Sequence, residues 1–231
     1  MTATRHIFLS PHPDDVVWSC GGLLLRLVRA GERVLVVTVF DGDAEGAPPS
    51  GWRRIASPDL RRRENDRALA AVGVAGLSLG LVDAALRRYD DDYLYRDADA
   101  LLGPLAPADD PLGPLLTSRL VAVLRQGDQI YVPMAGSGTH VDHRIVRSAA
   151  DGSMARAVSY YSEFPYARRQ AQTPVETAAC ESDEWIEVAG LYRSQVVCLF
   201  GTGKRFAAAL RAWAGTDPRS ESSSGRMSRA G

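Results

Sequence analysis

The sequence predicts an α/β fold, a Rossmann-like, mainly parallel sheet flanked by helices in a single domain. Three observations lead to this. Residues 6–40 read as strand, helix and strand, about the length of one βαβ unit. The second of those strands, residues 33–40 (Arg-Val-Leu-Val-Val-Thr-Val-Phe), is β-branched and almost continuously apolar, the pattern of a strand covered on both faces. The later apolar runs are short, and segments of helical spacing separate them, so strands and helices alternate along the chain.

The elements follow in order. Residues 6–10 form a short apolar strand that stops at Pro11-His12-Pro13-Asp14-Asp15, a cluster of turn formers. Gly21 and Gly22 open a helix expected over residues 23–30, which Gly31 closes. After the second strand, residues 41–58 are rich in Gly, Pro, Asp and Ser and read as an exposed excursion, with Asp41 on its inner rim beside Gly42. Leu60, Ala68, Leu69 and Val72 have helical spacing, and Gly73 is the stop. Strands are expected at residues 77–82, 129–134 and 157–161, and a helix at 115–125. Residues 87–114 are polar and carry the acidic clusters Asp90-Asp91-Asp92 and Asp109-Asp110; a loop of that length in a compact domain is usually functional or mobile. Residues 215–231 are rich in Ser, Gly and Arg, so a disordered tail is expected behind a domain of residues 1–214.

Composition narrows the function classes. The 231 residues carry 27 basic and 28 acidic side chains, a net charge of −1, which gives no electrostatic footprint for nucleic acid. No window approaches the ~18–20 apolar residues of a membrane span. Cys20, Cys180 and Cys198 are odd in number and lack a Cys-x-x-Cys pair, which disfavours a disulfide framework or a thiolate zinc site. Residues 1–10 hold one arginine and no long apolar core, so no secretory signal is expected and a cytoplasmic location is.

Chemistry concentrates at strand ends, where open α/β sheets bind ligands. The first strand leads into His12-Pro13-Asp14-Asp15 and the fourth into Gly138-Thr139-His140-Val141-Asp142-His143, so three of the four histidines, all but His6, lie beside aspartates past strand ends. Either motif alone fits a turn or a helix cap. Together they fit a catalytic metal site, in which histidines and a carboxylate supply three ligands and leave a position open for water. Such a metal lowers the pKa of the water and polarises a carbonyl oxygen.

His-Pro-Asp-Asp after an N-terminal strand, with a distant His-x-Asp-His, resembles the PIG-L/LmbE-like zinc-dependent N-acetylglucosaminyl deacetylases. Arg61-Arg62-Arg63-Glu64 ahead of Ala68 to Gly73 is similar to the family's Arg-x-x-Glu helix, and Leu79-Gly80-Leu81-Val82-Asp83 to its Leu-Gly-x-x-Asp segment. The resemblance implies one Zn²⁺ per chain held by His12, Asp15 and His143, with Asp14 as general base. It implies that His140 protonates the leaving amine or stabilises the oxyanion, with Asp142 hydrogen-bonded to it. Arg61 and Asp83 match positions that hold the sugar; they also read as a solvated helix-terminal residue and a helix cap. The implied reaction removes an N-acetyl group from an N-acetylglucosamine-type amino sugar or glycoconjugate and releases acetate and a free amine, with a setting in bacterial secondary metabolism or glycoconjugate synthesis. Val16 stands where the family usually has Glu, and Gly138 where some members place an oxyanion-donating tyrosine. Tyr161 and Glu163 to Tyr166, at the end of the last strand, read first as aromatic core packing, with a polar wall of the site as the alternative. The rival readings are a zinc amidase on a non-acetyl amide, a phosphoesterase, and a non-catalytic sugar-binding module; no Gly-x-Gly-x-x-Gly or Walker loop follows the first strand.

Overall fold

The computed structural model describes residues 4–44, 57–136, 138–153, 158–166 and 183–214; the expected tail lies outside them. In chain order come β1 (Arg5–Ser10), α1 (Asp15–Arg29), β2 (Arg33–Gly42), α2 (Pro58–Val72) and β3 (Ala75–Val82). A hairpin of β4 (Arg88–Tyr89) and β5 (Asp92–Tyr93) follows, then α3 (Ala98–Leu102) and α4 (Leu112–Val123). The chain continues with β6 (Gln129–Pro133), α5 (Val141–Ser153), β7 (Val158–Tyr161), α6 (Asp183–Ala189), α7 (Arg193–Phe200) and α8 (Gly203–Ala214). The main sheet has the order β3-β2-β1-β6-β7, and every pairing in it is parallel.

The continuous apolar runs of β1 and β2 are explained by helices on both faces. Side chains alternate along a strand: Phe8 and Val36 join α1, α2, α6, α7 and α8 in one core, while Ile7, Leu9, Val37 and Val39 join α4 and α5 in the other. Trp18 is fully buried in the first core, its ring meeting Phe164, Tyr192, Phe200 and Phe206, and its indole N–H donates to the Ala189 carbonyl at 3.0 Å. Burying a large apolar side chain of this kind contributes ~1.5–3 kcal/mol.

Two expectations need correction. The first helix begins at Asp15, so Gly21 and Gly22 lie inside it rather than at its start. A Cβ on Gly21 would sit 2.2 Å from Cδ1 of Trp185. The glycine admits that indole, whose N–H donates to the Val17 carbonyl at 2.7 Å, and the close packing of α6 on α1 offsets the weak helix propensity. Residues 87–114, expected as loop, hold short elements instead. Asp90 and Asp91 form the turn of the β4–β5 hairpin with φ of 47° and 63°, a pair of left-handed residues that suits Asp. Asp97 caps α3 by accepting the Ala100 N–H at 2.8 Å. The helices α6 to α8 were not anticipated. Among the described residues no helix is long and apolar enough to cross a membrane.

Candidate metal centre

β1 pairs with β2 on one side and β6 on the other, so the chain leaves β1 and β6 in opposite directions across the sheet. The crevice beyond their carboxyl ends is the switch point at which such sheets bind ligands. Both sequence motifs arrive there. His12 sits in the turn after β1, and Asp15 is the first residue of α1, its Oδ2 accepting the His12 backbone N–H at 2.8 Å. Asp142 and His143, in the first turn of α5, are completely buried, and His140 precedes that helix.

Three ligand atoms form a nearly equilateral triangle. His12 Nδ1 lies 3.4 Å from Asp15 Oδ2, His143 Nε2 lies 3.2 Å from the same oxygen, and the two nitrogens are 3.3 Å apart. Ligands about 2.0–2.1 Å from a tetrahedral zinc are separated by about 3.4 Å, so the donors present fit that ion. His140 is part of the same cluster: its ring has ligand atoms within 4.8 Å of His12 and His143, and also of His12, Asp83 and Asp142.

The carboxylates around this centre favour positive charge on two of its three imidazoles. Burial by itself would lower the pKa of His12, but Asp83, Asp142 and Asp15 outweigh it and raise the value to about 9. His143 is raised well above the usual histidine value, Asp15 and Glu163 overcoming burial. The two imidazoles in turn hold Asp15 well below the usual carboxylate range despite its burial. His140 behaves oppositely: burial, reinforced by the charges of His12 and His143, lowers it to about 3 and keeps the ring neutral. Its Nδ1 accepts the Asp142 backbone N–H at 3.2 Å, which leaves the ring proton of the neutral form on Nε2.

Surrounding groups fix the cluster, and here the structure departs from expectation. The Asp142 carboxylate stands 3.9 Å from His140 and bonds elsewhere: it pairs with His12 Nε2 at 2.9 Å and accepts from the Ala84 N–H at 2.9 Å and from Arg87 at 2.5 Å. Arg61 is buried rather than solvated, donating to Asp14 at 2.8 Å and Asp83 at 2.9 Å. Asp83 also caps the turn Ala84–Leu86 through the Ala85 N–H. Arg61 and Asp83 line a small cleft with Pro13, Phe40 and Leu86. The Asp41 carboxylate is tied to Ser78 and to the Gly80 N–H, a structural role. Tyr161 donates its hydroxyl to the Leu9 carbonyl in the core, while the Tyr166 ring meets His143 edge-on at 5.6 Å. Gly138 has φ of 80°, a conformation a tyrosine would adopt only under strain.

Arg87 was missed as a residue of the site, and Glu163, expected at most as part of a polar wall, has a partner that was not foreseen. Arg87 read as the start of a polar loop, yet its guanidinium is buried between Asp142 and Asp109, at 2.5 and 2.8 Å. Glu163 bonds His143 Nδ1 through one carboxylate oxygen. Its signal was its position just past the end of β7, the same rule that singled out the two histidine motifs. Beside Arg87, Asp43, Val82, Leu86 and Tyr89 border a cavity of about 680 Å³.

A Rossmann-like sheet carrying at its switch point a His/Asp cluster able to hold a metal ion defines the class, an α/β protein built around a candidate metal centre. The family model described as GlcNAc-PI de-N-acetylase, PIG-L, matches residues 7–153, and the chain belongs to this PIG-L/LmbE-like deacetylase family. It is 32% identical to a 2'-N-acetylparomamine deacetylase of Streptomyces fradiae over 84% of this chain and 68% of that protein. A protein of the same description from Niallia circulans is 28% identical over 84% of this chain and 82% of its own length. Among solved structures, the zinc-inhibited form of a teicoplanin deacetylase shares the fold with a TM-score of 0.72 at 23% identity, over 89% of this chain and 90% of that one.

Proposed function

We propose that the chain is a zinc-dependent deacetylase that removes the N-acetyl group from an N-acetylglucosamine-type amino sugar within a larger molecule, with an aminoglycoside precursor such as 2'-N-acetylparomamine as the first substrate to test. The triangle of His12 Nδ1, Asp15 Oδ2 and His143 Nε2 carries this reading. The names of the two curated relatives support the substrate class. The cavity beside Arg87 is within the size range of small-molecule sites and offers room for the rest of such a molecule.

Held by those three atoms, zinc would acidify a water molecule and polarise the acetyl carbonyl. The chain's own groups do the rest. Asp14 lies next to Asp15, and Arg61 orients its carboxylate at 2.8 Å. It accepts a proton from the attacking water and passes it to the amide nitrogen as the C–N bond breaks; the second water proton stays with the acetyl product until it moves to the amine, so acetate and a protonated amine leave. The neutral His140 ring, with its proton on Nε2, donates to the developing oxyanion; loss of one such donor costs ~3–4 kcal/mol of transition-state stabilisation. Asp142 orients His12 from the side away from the triangle.

The test is acetate release from a panel of N-acetylated sugars and their conjugates, with chelator, and after restoring zinc, cobalt, nickel or manganese. Chelator should abolish release and zinc should restore it. Asp14→Asn should keep one zinc per chain and lose ~10²–10⁴-fold in rate. Full hydrolysis by that variant would refute the mechanism, and metal binding without acetate release from any substrate would favour a binding module.

A further inference from the structure

We infer that Glu163 is the positioning residue for the His143 metal ligand, fixing the ring in the one tautomer that can bind a metal; this rests on the metal-dependent reading above. Glu163 is fully buried at the end of β7, the strand paired with β6. One carboxylate oxygen bonds His143 Nδ1, and the other accepts the Ala135 backbone N–H at 2.7 Å. Ala135 belongs to the connection from β6 to α5, which delivers His140, Asp142 and His143. The glutamate thus holds both the imidazole and the backbone that carries it.

A carboxylate accepts hydrogen bonds and does not donate them, so in the neutral, metal-binding ring the proton of His143 is placed on Nδ1 and the lone pair on Nε2. That nitrogen is the corner of the triangle facing Asp15 Oδ2 and His12 Nδ1. A His143 protonated on Nε2 would occupy the same space and could not coordinate.

The charge pattern points the same way. Arg61 bridges Asp14 and Asp83, and Arg87 bridges Asp142 and Asp109. Among the described residues, the one ion pair of Glu163 is with His143. A buried carboxylate without a cation is costly, and a metal at His143 Nε2 supplies the positive charge that this one faces through the ring. Carboxylates behind a ligating histidine raise the basicity of the ring and fix its orientation.

Glu163→Gln separates this role from a structural one. The amide has one acceptor oxygen for two donors. It must either release the Ala135 N–H or turn its NH₂ towards His143 and drive the ring to the wrong tautomer. The measurement is zinc affinity by chelator competition, with the visible spectrum of the cobalt-substituted protein and the thermal midpoint of the metal-free protein alongside. Zinc affinity should fall ~10–100-fold and the cobalt bands should change, while the metal-free fold persists. Unchanged affinity with an unchanged cobalt spectrum would overturn the inference. If the unsubstituted protein takes up no zinc, the metal-dependent reading itself fails, a separate outcome. Should Glu163→Gln not fold, ring-nitrogen NMR of the zinc-loaded unsubstituted protein decides. A protonated Nδ1 on His143 supports the inference, and a metal-bound Nδ1 with a protonated Nε2 sinks it.

Discussion

Replacing Arg87 by methionine should strongly destabilise the protein. The guanidinium is the shared cation of two buried carboxylates, Asp142 at 2.5 Å and Asp109 at 2.8 Å, and it also donates to the Val82 carbonyl at 3.1 Å. It packs 5.4 Å from the Phe40 ring centroid and 5.5 Å from that of Tyr95. Methionine keeps some of the stem's apolar contact and removes the charge. Asp142 then retains His12 and the Ala84 N–H, whereas the Asp109 carboxylate keeps, among the described residues, only the Tyr95 hydroxyl at 2.7 Å. Taking one partner from a buried pair costs about 3–5 kcal/mol, a large fraction of the ~5–15 kcal/mol that holds a domain together. Urea unfolding of the metal-free protein at pH 7 should show a loss in that range. Asp109→Leu added to the Arg87 change should recover part of it, since an apolar side chain replaces the stranded carboxylate. A loss below about 1 kcal/mol, or no recovery in the double variant, would refute the account of Arg87 as the shared counterion.

Two more predictions concern pH and packing. His12 gains its proton more readily folded than unfolded, its pKa rising from 6.5 to about 9. The stability it contributes is therefore fully present below pH 6.5 and lost as pH climbs through about 9, a term on the order of 3 kcal/mol. The thermal midpoint of the chelator-treated protein should fall over that interval and that of the zinc-loaded protein should not; identical profiles would contradict the proposed role of His12 as a metal ligand. Gly21→Ala places a methyl 2.2 Å from the Trp185 ring. It should cost about 1–3 kcal/mol by overpacking, readable as a lower urea midpoint with unchanged m-value, and a neutral or stabilising effect would show that α6 gives way freely.

The sequence exposed the parts of this molecule that are local. The five sheet strands could be read because each is a short apolar run bounded by turn residues, and the two motifs around His12 and His143 could be placed together because strand ends meet at one edge of a parallel sheet, while the choice of His12, Asp15 and His143 within them was implied by the family resemblance. The partners of Arg61 and Arg87 could not be read this way. Arg61 reaches Asp14 and Asp83 across 47 and 22 residues of sequence, and Arg87 reaches Asp142 across 55. Such pairings depend on how the excursion after β3 folds back, which periodicity does not encode. The Glu64 of the Arg-x-x-Glu motif is a further case: it holds the Ser194 N–H and hydroxyl at the start of α7, 130 residues away. The C-terminal helices were legible in principle. Trp185, Val188, Ala189, Tyr192 and Val196 recur at helical spacing, and all are buried.

The sheet joins its two halves along one short seam. β1 meets β2 from Arg5 to Ser10, but it meets β6 only at His6, Ile7 and Phe8. His12 and Asp15 belong to the half before that seam and His143 to the half after it, so a metal bound to all three would close a loop of more than a hundred residues across the pairing with the shortest register in the central sheet. An ion recruited for chemistry would then also act as a clasp. Amide protons along β1 and β6 should exchange more slowly when the site is filled, while those between β1 and β2 change little. An ion that binds only the folded chain would then add to its stability as the free metal concentration rises.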